Sequence, residues 1–137
     1  FKDEIRSGVI FDPIKNEMFY AEKNNGAYFN NKRIRVSKKK NIDECLFATG
    51  GKDQIKNNLN TRKSGSAALD MAYVGAGRYD GYFQKNLNIW DIAAGIIIVE
   101  EAGGKINNID NSSKENINIL AGSNSIYQKM QENLNNF

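Results

Sequence analysis

Histidine is absent from this chain of 137 residues, and cysteine and proline occur once each. Without histidine the chain cannot build a His-assisted nucleophile, a phosphohistidine intermediate or a His-ligated zinc site. Any hydrolytic chemistry would therefore rely on carboxylates, hydroxyls and hard cations such as Mg²⁺. The lone cysteine, Cys45, cannot form an internal disulfide and lies in an apolar stretch. We expect it to be a small buried side chain in a reducing, cytoplasmic compartment.

Long apolar runs and a strong charge of either sign are also missing. No apolar run reaches the length of a membrane span, so no membrane partner is expected. The net charge of +3, from 19 basic and 16 acidic residues, is too mild to indicate direct nucleic-acid binding. The balance of 40% hydrophobic and 26% charged residues is typical of one globular domain. The start, Phe-Lys-Asp-Glu at 1–4, is neither a signal peptide nor an initiator methionine, so we expect a fragment truncated at its N-terminus.

The first 40 residues read as short strands separated by turn signals. Residues 5–12 and 17–22 flank the turn Asp12–Asn16 and predict an antiparallel hairpin. Further turns at 24–26 and 30–32 precede two more short strands at 27–29 and 33–36. We expect this meander to continue a sheet begun upstream.

From residue 45 onward, strand and helix signals alternate. We predict helices at 66–77 and 88–102, and a last one opened by a capping box at 125–128. The segment 50–62 is polar and predicts a loop with at most a short helix. Strands are predicted at 45–49, 79–84, 105–106 and 117–121. This alternation favours an α/β layered core.

The most informative segment is 89–104, which is apolar on nearly every face and carries Asp91 near its front end. Such a helix belongs between layers rather than on a surface. Asn88 is a candidate N-cap, which puts Asp91 at the third helical position. A carboxylate there is favoured by the helix dipole and is well placed to meet a bound cation. By position alone, the competing interpretation is a capping or dipole-neutralising aspartate.

Seven short pieces of this chain, taken in order, resemble the inositol monophosphatase family over its C-terminal half or so. The resemblance implies an α/β fold, an αβαβα sandwich. It makes 1–137 a single partial domain, with 1–40 forming strands of the larger sheet and 41–137 the substrate and metal side. The pieces are Gly8–Pro13, Glu17–Ala21, Gly26–Asn30, Lys32–Ser37, Gly65–Asp70, Trp90–Gly95 and Glu101–Gly104.

The resemblance carries specific site residues. Asp91 matches the family's C-terminal Mg²⁺ ligand, where an ionised carboxylate suits a hard cation. Gly65, Ser66 and Ala67 match the segment that contacts the substrate's sugar-like ring, although Ser66 alone reads equally well as a plain N-cap. Gln84 stands where many members have a glutamate that binds a substrate hydroxyl. Glutamine keeps an acceptor oxygen, loses the charge and gains a donor, so preference among polyols can shift.

Three features depart from the family or carry no site role. The family's other metal ligands lie upstream, and Asp12-Pro13 begins like one of those loops without completing it, so we assign it no metal. The stretch from Thr49 to Gly65 is shorter than the family norm. Arg78 and Asp80 read as structural, a surface cation and an Asp-Gly turn.

The resemblance implies Mg²⁺-dependent hydrolysis of a phosphomonoester by metal-activated water, with inositol 1-phosphate as the first choice of small-molecule substrate. Related activities on histidinol phosphate, fructose bisphosphate or a phosphoadenosine nucleotide stay open. A different class is a truncated, non-catalytic module that acts through protein contacts, since some members are thought to contact the transcription machinery. A homodimer is possible. We expect this piece alone to be inactive, because one carboxylate cannot hold a catalytic metal cluster.

Overall fold

The computed structural model describes residues 5–50, 59–110 and 112–134. They form an α/β fold, as the sequence pattern predicts. The strands are β1 (Ser7–Asp12), β2 (Glu17–Glu22), β3 (Gly26–Phe29), β4 (Lys32–Ile34), β5 (Phe47–Thr49), β6 (Thr61–Arg62), β7 (Gly81–Leu87), β8 (Lys105–Ile106) and β9 (Ile117–Gly122). The helices are α1 (Ala67–Gly75), α2 (Ile89–Glu101) and α3 (Tyr127–Asn133), with a 3₁₀ turn at Ile42–Glu44.

The first sheet is an antiparallel meander in the order β1-β2-β3-β4. The predicted hairpin is confirmed, with Ile10 paired to Phe19. Asp12 closes its turn, since its Oδ1 accepts the backbone N–H groups of Ile14 at 3.0 Å and Lys15 at 3.4 Å. Alternate residues point inward, as the period of a strand requires. That inner face is apolar and packs on α2.

The second sheet has the order β6-β5-β7-β9-β8, with β5 parallel to both of its neighbours and β9 antiparallel to its own. Ala48, Tyr82 and Ile119 face α1 and α2, whereas Phe47 and Phe83 face α3. Helices α1 and α2 therefore lie between the two sheets, and α3 covers the far face of the second. These layers are sheet, helix pair, sheet and helix.

Glycines let α1 and α2 approach closely. A Cβ at position 95 would lie 2.7 Å from the Met71 Cβ and 2.8 Å from its Sδ. In the reverse direction, a Cβ at position 75 would lie 2.9 Å from the Ile98 Cγ2. Each helix thus presents a glycine to a large side chain of the other. This packing sets the separation of the two helices and holds their N-terminal ends side by side.

Two predictions about local structure are wrong. Ser125 does not cap α3: the residue before this helix is Ile126, without a side-chain cap, and the Ser125 hydroxyl instead donates to the Lys39 carbonyl at 2.7 Å. Within the predicted loop 50–62, residues 61–62 form β6. Residues 51–58 of that segment, and the start at 1–4, lie outside the described residues.

Arg78 and Asp80 are both structural: Arg78 is a surface cation, as expected, whereas Asp80 is buried rather than part of an exposed turn. Arg78 forms a bidentate pair with Glu17, with N–O distances of 2.9 and 2.7 Å. Its guanidinium also lies between 4.8 and 5.5 Å from three ring centroids, those of Phe19, Phe29 and Tyr73. Asp80 is buried and accepts the Leu46 N–H at 2.8 Å. Both side chains tie distant parts of the chain together, which local sequence does not reveal.

Cys45 is buried, as expected, and burial raises the pKa of its thiol to about 11. None of the helices in the described residues is long and apolar enough to cross a membrane.

Candidate functional site

A pocket of about 230 Å³ opens where the N-terminal ends of α1 and α2 meet β7. All five residues singled out from the sequence contribute to its wall, although they come from three separate elements. The lining residues are Gly50, Gly65, Ser66, Ala67, Asp70, Gln84, Leu87 and Asp91. The sequence motifs therefore converge on one place in the fold.

The N-terminal end of α1 supplies small residues to this pocket. Gly65 has φ +88°, a left-handed conformation that favours glycine. Ser66 is the N-cap, and its Oγ accepts the Leu69 N–H at 3.2 Å. The plain capping role is therefore present, and the Ser66 hydroxyl hydrogen can still be donated to a ligand. The free N–H groups of the first turn favour an oxygen-rich or anionic ligand.

Asp91 lies at the third position of α2, with Asn88 as N-cap, as predicted. Its Oδ2 accepts the Asn88 backbone N–H at 3.3 Å, so Asp91 does cap the helix. This bond does not prevent the carboxylate from also binding a cation. The side chain is nevertheless exposed, and a carboxylate oxygen has more than one lone pair to offer. Trp90 beside it is also exposed, at 66%. The front of this largely buried helix is thus accessible to a ligand.

A β-bulge in β7 brings Gln84 and Leu87 to the same pocket. Gln84 pairs with Ile119 and Leu87 with Ile117, which leaves one extra residue in β7 between the two pairs. Asn86 within the bulge takes φ 60°. The Gln84 amide packs against Gly50 so closely that a Cβ at position 50 would collide with it. Behind it, the Tyr82 hydroxyl donates a hydrogen bond to Gln84 Oε1.

Asp70 is the pocket residue that the sequence analysis did not single out. It is 1% exposed, and the Ser64 hydroxyl donates to its Oδ1 at 2.5 Å. Burial raises the pKa of this carboxyl to about 6, although the Ser64 hydrogen bond opposes the shift. One signal was available: Asp70 follows Ser66 by four residues in an otherwise apolar helix, which places both on one helical face.

The electrostatics of the pocket are dominated by Asp70 and Asp91. Burial raises the pKa of the Tyr82 phenol well above its usual range, and the nearby charges of Asp70 and then Asp91 add to the effect. Within residues 5–50, 59–110 and 112–134, no group of three or more acidic, histidine or cysteine side chains is arranged to hold a metal. The described pocket therefore offers two carboxylates to a cation.

Comparison with protein families finds a match over residues 2–136 to a model described as the inositol monophosphatase family. An inositol-1-monophosphatase of Caulobacter vibrioides is 37% identical over 95% of this chain and 58% of that protein. A fructose-1,6-bisphosphatase/inositol-1-monophosphatase of Thermotoga maritima is 47% identical over 82% and 46%. A Nus factor SuhB of Haemophilus influenzae is 38% identical over 94% and 55%. The chain thus spans about half the length of the curated relatives it matches.

Solved structures show the same fold. The extragenic suppressor protein suhB of Bartonella henselae superposes with a TM-score of 0.86 and 40% identity, covering 96% of this chain and 59% of that one. An IMPase of Thermotoga maritima gives a TM-score of 0.87 and 38% identity, covering 96% and 56%.

Proposed function

The chain belongs to the inositol monophosphatase family, and on that premise we propose that it forms the alcohol-binding side and one metal-binding position of a Mg²⁺-dependent phosphomonoester phosphatase. One observation carries the proposal. Asp91, Gly65, Ser66, Ala67 and Gln84, which lie up to 26 residues apart in the sequence, line a single pocket. A binding role for all five would require such an arrangement.

The charges of the pocket support a cation-assisted reaction. Two helix N-termini point their partial positive charges and free N–H groups toward it, which favours an anionic phosphoryl group. Asp70 and Asp91 would repel the same group. A divalent cation between carboxylate and phosphate resolves this conflict, because each anion then faces a positive charge.

The donor set fits part of a Mg²⁺ shell. Asp91 is exposed and would hold the ion, while Asp70 is buried and held by Ser64. Magnesium takes about six oxygen ligands, so waters, the substrate and residues outside the described pocket would complete the shell. When bound, the ion would supply a more acidic water and would stabilise charge on the leaving oxygen. Gly65, Ser66 and Ala67 would orient the alcohol portion through small side chains and backbone N–H groups.

Inositol 1-phosphate is the substrate we propose first, with Gln84 against its ring. The name of the Thermotoga maritima relative also supports fructose 1,6-bisphosphate as an alternative. Histidinol phosphate and a phosphoadenosine nucleotide are further candidates of the same class. Asp91 serves all four equally, so only a panel of substrates separates them.

The test is Mg²⁺-dependent phosphate release by the full product of the reading frame that contains this chain. Asp91→Asn should lower turnover on the order of 100-fold, because it removes a charge that holds the cation. Asp110→Asn is the matched control. Asp110 is exposed and lies outside the pocket, where its Oδ1 accepts hydrogen bonds from the backbone N–H and the hydroxyl of Ser112. Equal turnover in the two variants would reject the metal role of Asp91.

A second candidate is a function carried by protein contacts. It is favoured by the name Nus factor SuhB of the Haemophilus influenzae relative, which specifies no phosphate ester. A folded full product that releases phosphate from none of the four substrates would support this candidate over the phosphatase. Sedimentation of the same preparation would test whether the protein forms a homodimer.

A further inference from the structure

The turn that precedes α1 is fastened to the helix by a buried carboxylate. Asp70, at the fourth position of α1, is 1% exposed, and the Ser64 hydroxyl donates to its Oδ1 at 2.5 Å. The Ser64 Oγ in turn accepts the backbone N–H of Ser66 at 3.3 Å. A chain of hydrogen bonds therefore runs from the N-cap of α1, through a hydroxyl, to a carboxylate one turn into the helix.

This chain of hydrogen bonds spans Gly65, which lines the pocket. Gly65 takes φ +88°, and no atom of the described residues, its chain neighbours apart, lies within 4 Å of the place that a Cβ would take. Packing against a side chain therefore does not hold this residue, and glycine has more backbone freedom than any other residue. The bond between Ser64 and Asp70 supplies the restraint that Gly65 lacks.

The ionised Asp70 carboxylate strengthens this restraint and weakens the fold. A hydrogen bond to a charged acceptor is shorter and stronger than one between neutral groups. Burial nevertheless disfavours the charge and raises the pKa of this carboxyl to about 6. A neutral asparagine would still accept from Ser64 without a buried charge, so folding alone favours asparagine at this position. Groups that are charged at the expense of stability are concentrated at functional sites.

We infer that Asp70 is a positioning residue: through Ser64 it holds the segment 65–67 in the arrangement that receives the alcohol portion of the substrate. This inference rests on the proposed function and adds Ser64 and Asp70 to the residues that shape the same pocket. Asp70 acts on the α1 side of the pocket, whereas Asp91, the proposed cation ligand, belongs to α2. Loss of the restraint should therefore weaken substrate binding and leave the chemical step nearly intact.

The test is steady-state kinetics of the full product of the reading frame with Mg²⁺ and inositol 1-phosphate. We expect the KM to rise about tenfold in Ser64→Ala with little change in kcat, because the substrate must then order the segment as it binds. Ser64→Thr keeps the hydroxyl and should restore the native KM. Ser112→Ala is the matched control, since the Ser112 hydroxyl also donates to an aspartate, Asp110, at 2.7 Å and outside the pocket. An unchanged KM in Ser64→Ala, or an equal rise in Ser112→Ala, would overturn the inference.

Asp70→Asn separates positioning from a purely structural role. Removal of the buried charge should make the protein more stable at pH 7.5, whereas the weaker bond to Ser64 should still raise the KM. The double variant Ser64→Ala/Asp70→Asn should have the KM of Ser64→Ala alone, because Asp70 acts through that hydroxyl. A further rise in the double variant would show that Asp70 acts on the ligand directly, and the positioning role would then be wrong.

Backbone order parameters from NMR relaxation test the restraint without turnover. In the ligand-free full product, the order parameters of the Gly65 and Ser66 N–H groups should fall in Ser64→Ala and stay constant in Ser112→Ala. Unchanged values in Ser64→Ala would overturn the inference whether or not the protein hydrolyses a phosphate ester. A fall in these values, in a protein that releases phosphate from none of the four substrates, would reject the proposed reaction and retain the restraint of this segment by Ser64.

Discussion

The front ends of α1 and α2 contrast with the interiors of the same two helices. Behind those ends, Gly95 meets Met71, and Gly75, the last residue of α1, meets Ile98, with no space between them. At the front ends, Trp90 and Asp91 are exposed and Ser66 is half-buried beside an open pocket. Asp91 and Gly95 are only four residues apart, within the motif that first suggested the family. One motif therefore combines a residue placed for chemistry with a residue placed for packing.

The largest expected change in stability comes from disrupting the packing between α1 and α2. Gly95→Val should lower the free energy of unfolding by about 3 kcal/mol, because the new side chain overlaps Met71 in a filled interior. Urea denaturation with a constant m-value measures it. Gly65→Ala is the comparison: apart from its chain neighbours, no atom of the described residues lies within 4 Å of a Cβ there, so its positive φ opposes the change, at about 1 kcal/mol. Equal losses in the two variants would contradict the crowding at position 95.

The second-largest expected change in stability is at Asp70, which lines the pocket but is buried. Its carboxyl pKa is about 6 in the folded protein, above the ordinary value of 3.8. Folding therefore favours the protonated form, so this contribution to stability is intact below pH 4 and falls as the pH rises to 6. Asp70→Asn should be more stable than the native chain at pH 7.5, on the order of 2 kcal/mol, and equally stable near pH 4.

Asp110→Asn should change the pH dependence of stability in the opposite direction to Asp70→Asn. Its hydrogen bonds with Ser112 lower the pKa of the Asp110 carboxyl, so the ionised form stabilises the fold above its ordinary range and the benefit is lost as the pH falls. The asparagine variant should be slightly less stable than the native chain at neutral pH. Unfolding curves from below pH 3 to pH 7.5 in metal-free buffer would measure both, because the Asp110 contribution is lost only below its ordinary pKa of 3.8. A pH-independent difference for Asp70→Asn would contradict the buried-carboxyl account.

A smaller effect is expected at Arg78, outside both helix ends. Arg78→Lys loses the bidentate pair with Glu17 and the contact with three aromatic rings, and should lower stability by about 1 kcal/mol. Arg78 lowers the pKa of the Glu17 carboxyl, so the benefit exists above the ordinary value of 4.5 and is lost as the pH falls. Thermal unfolding at pH 7 measures the loss, with the exposed Arg6→Lys as control. A comparable loss at both positions would show that the ring cluster contributes nothing.

How far the sequence predicted these regions depends on the range of each interaction. The N-cap Asn88, the position of Asp91 in α2 and the β1–β2 hairpin follow from signals within a few residues. Arg78 and Glu17 are 61 residues apart, and Ser125 and Lys39 are 86 apart, so their contacts were missed. The burial of Asp70 and the bond between Tyr82 and Gln84 likewise depend on packing between elements. The five pocket residues were identified from the family resemblance, because hydrophobic periodicity does not show which distant residues meet.

The smallest expected change in stability is at Asp91, and it sharpens the opening contrast. Asparagine keeps an oxygen for the Asn88 N–H but removes a negative charge from the helix N-terminus, which is worth about 0.5 kcal/mol at an exposed site. Asp91→Asn should therefore leave the urea midpoint nearly unchanged, although it lies four residues from Gly95, where we expect valine to be strongly destabilising. If the front end of α2 serves chemistry rather than folding, the same variant must show its effect in Mg²⁺-dependent turnover. A loss of stability as large as that of Gly95→Val would instead make Asp91 a folding residue.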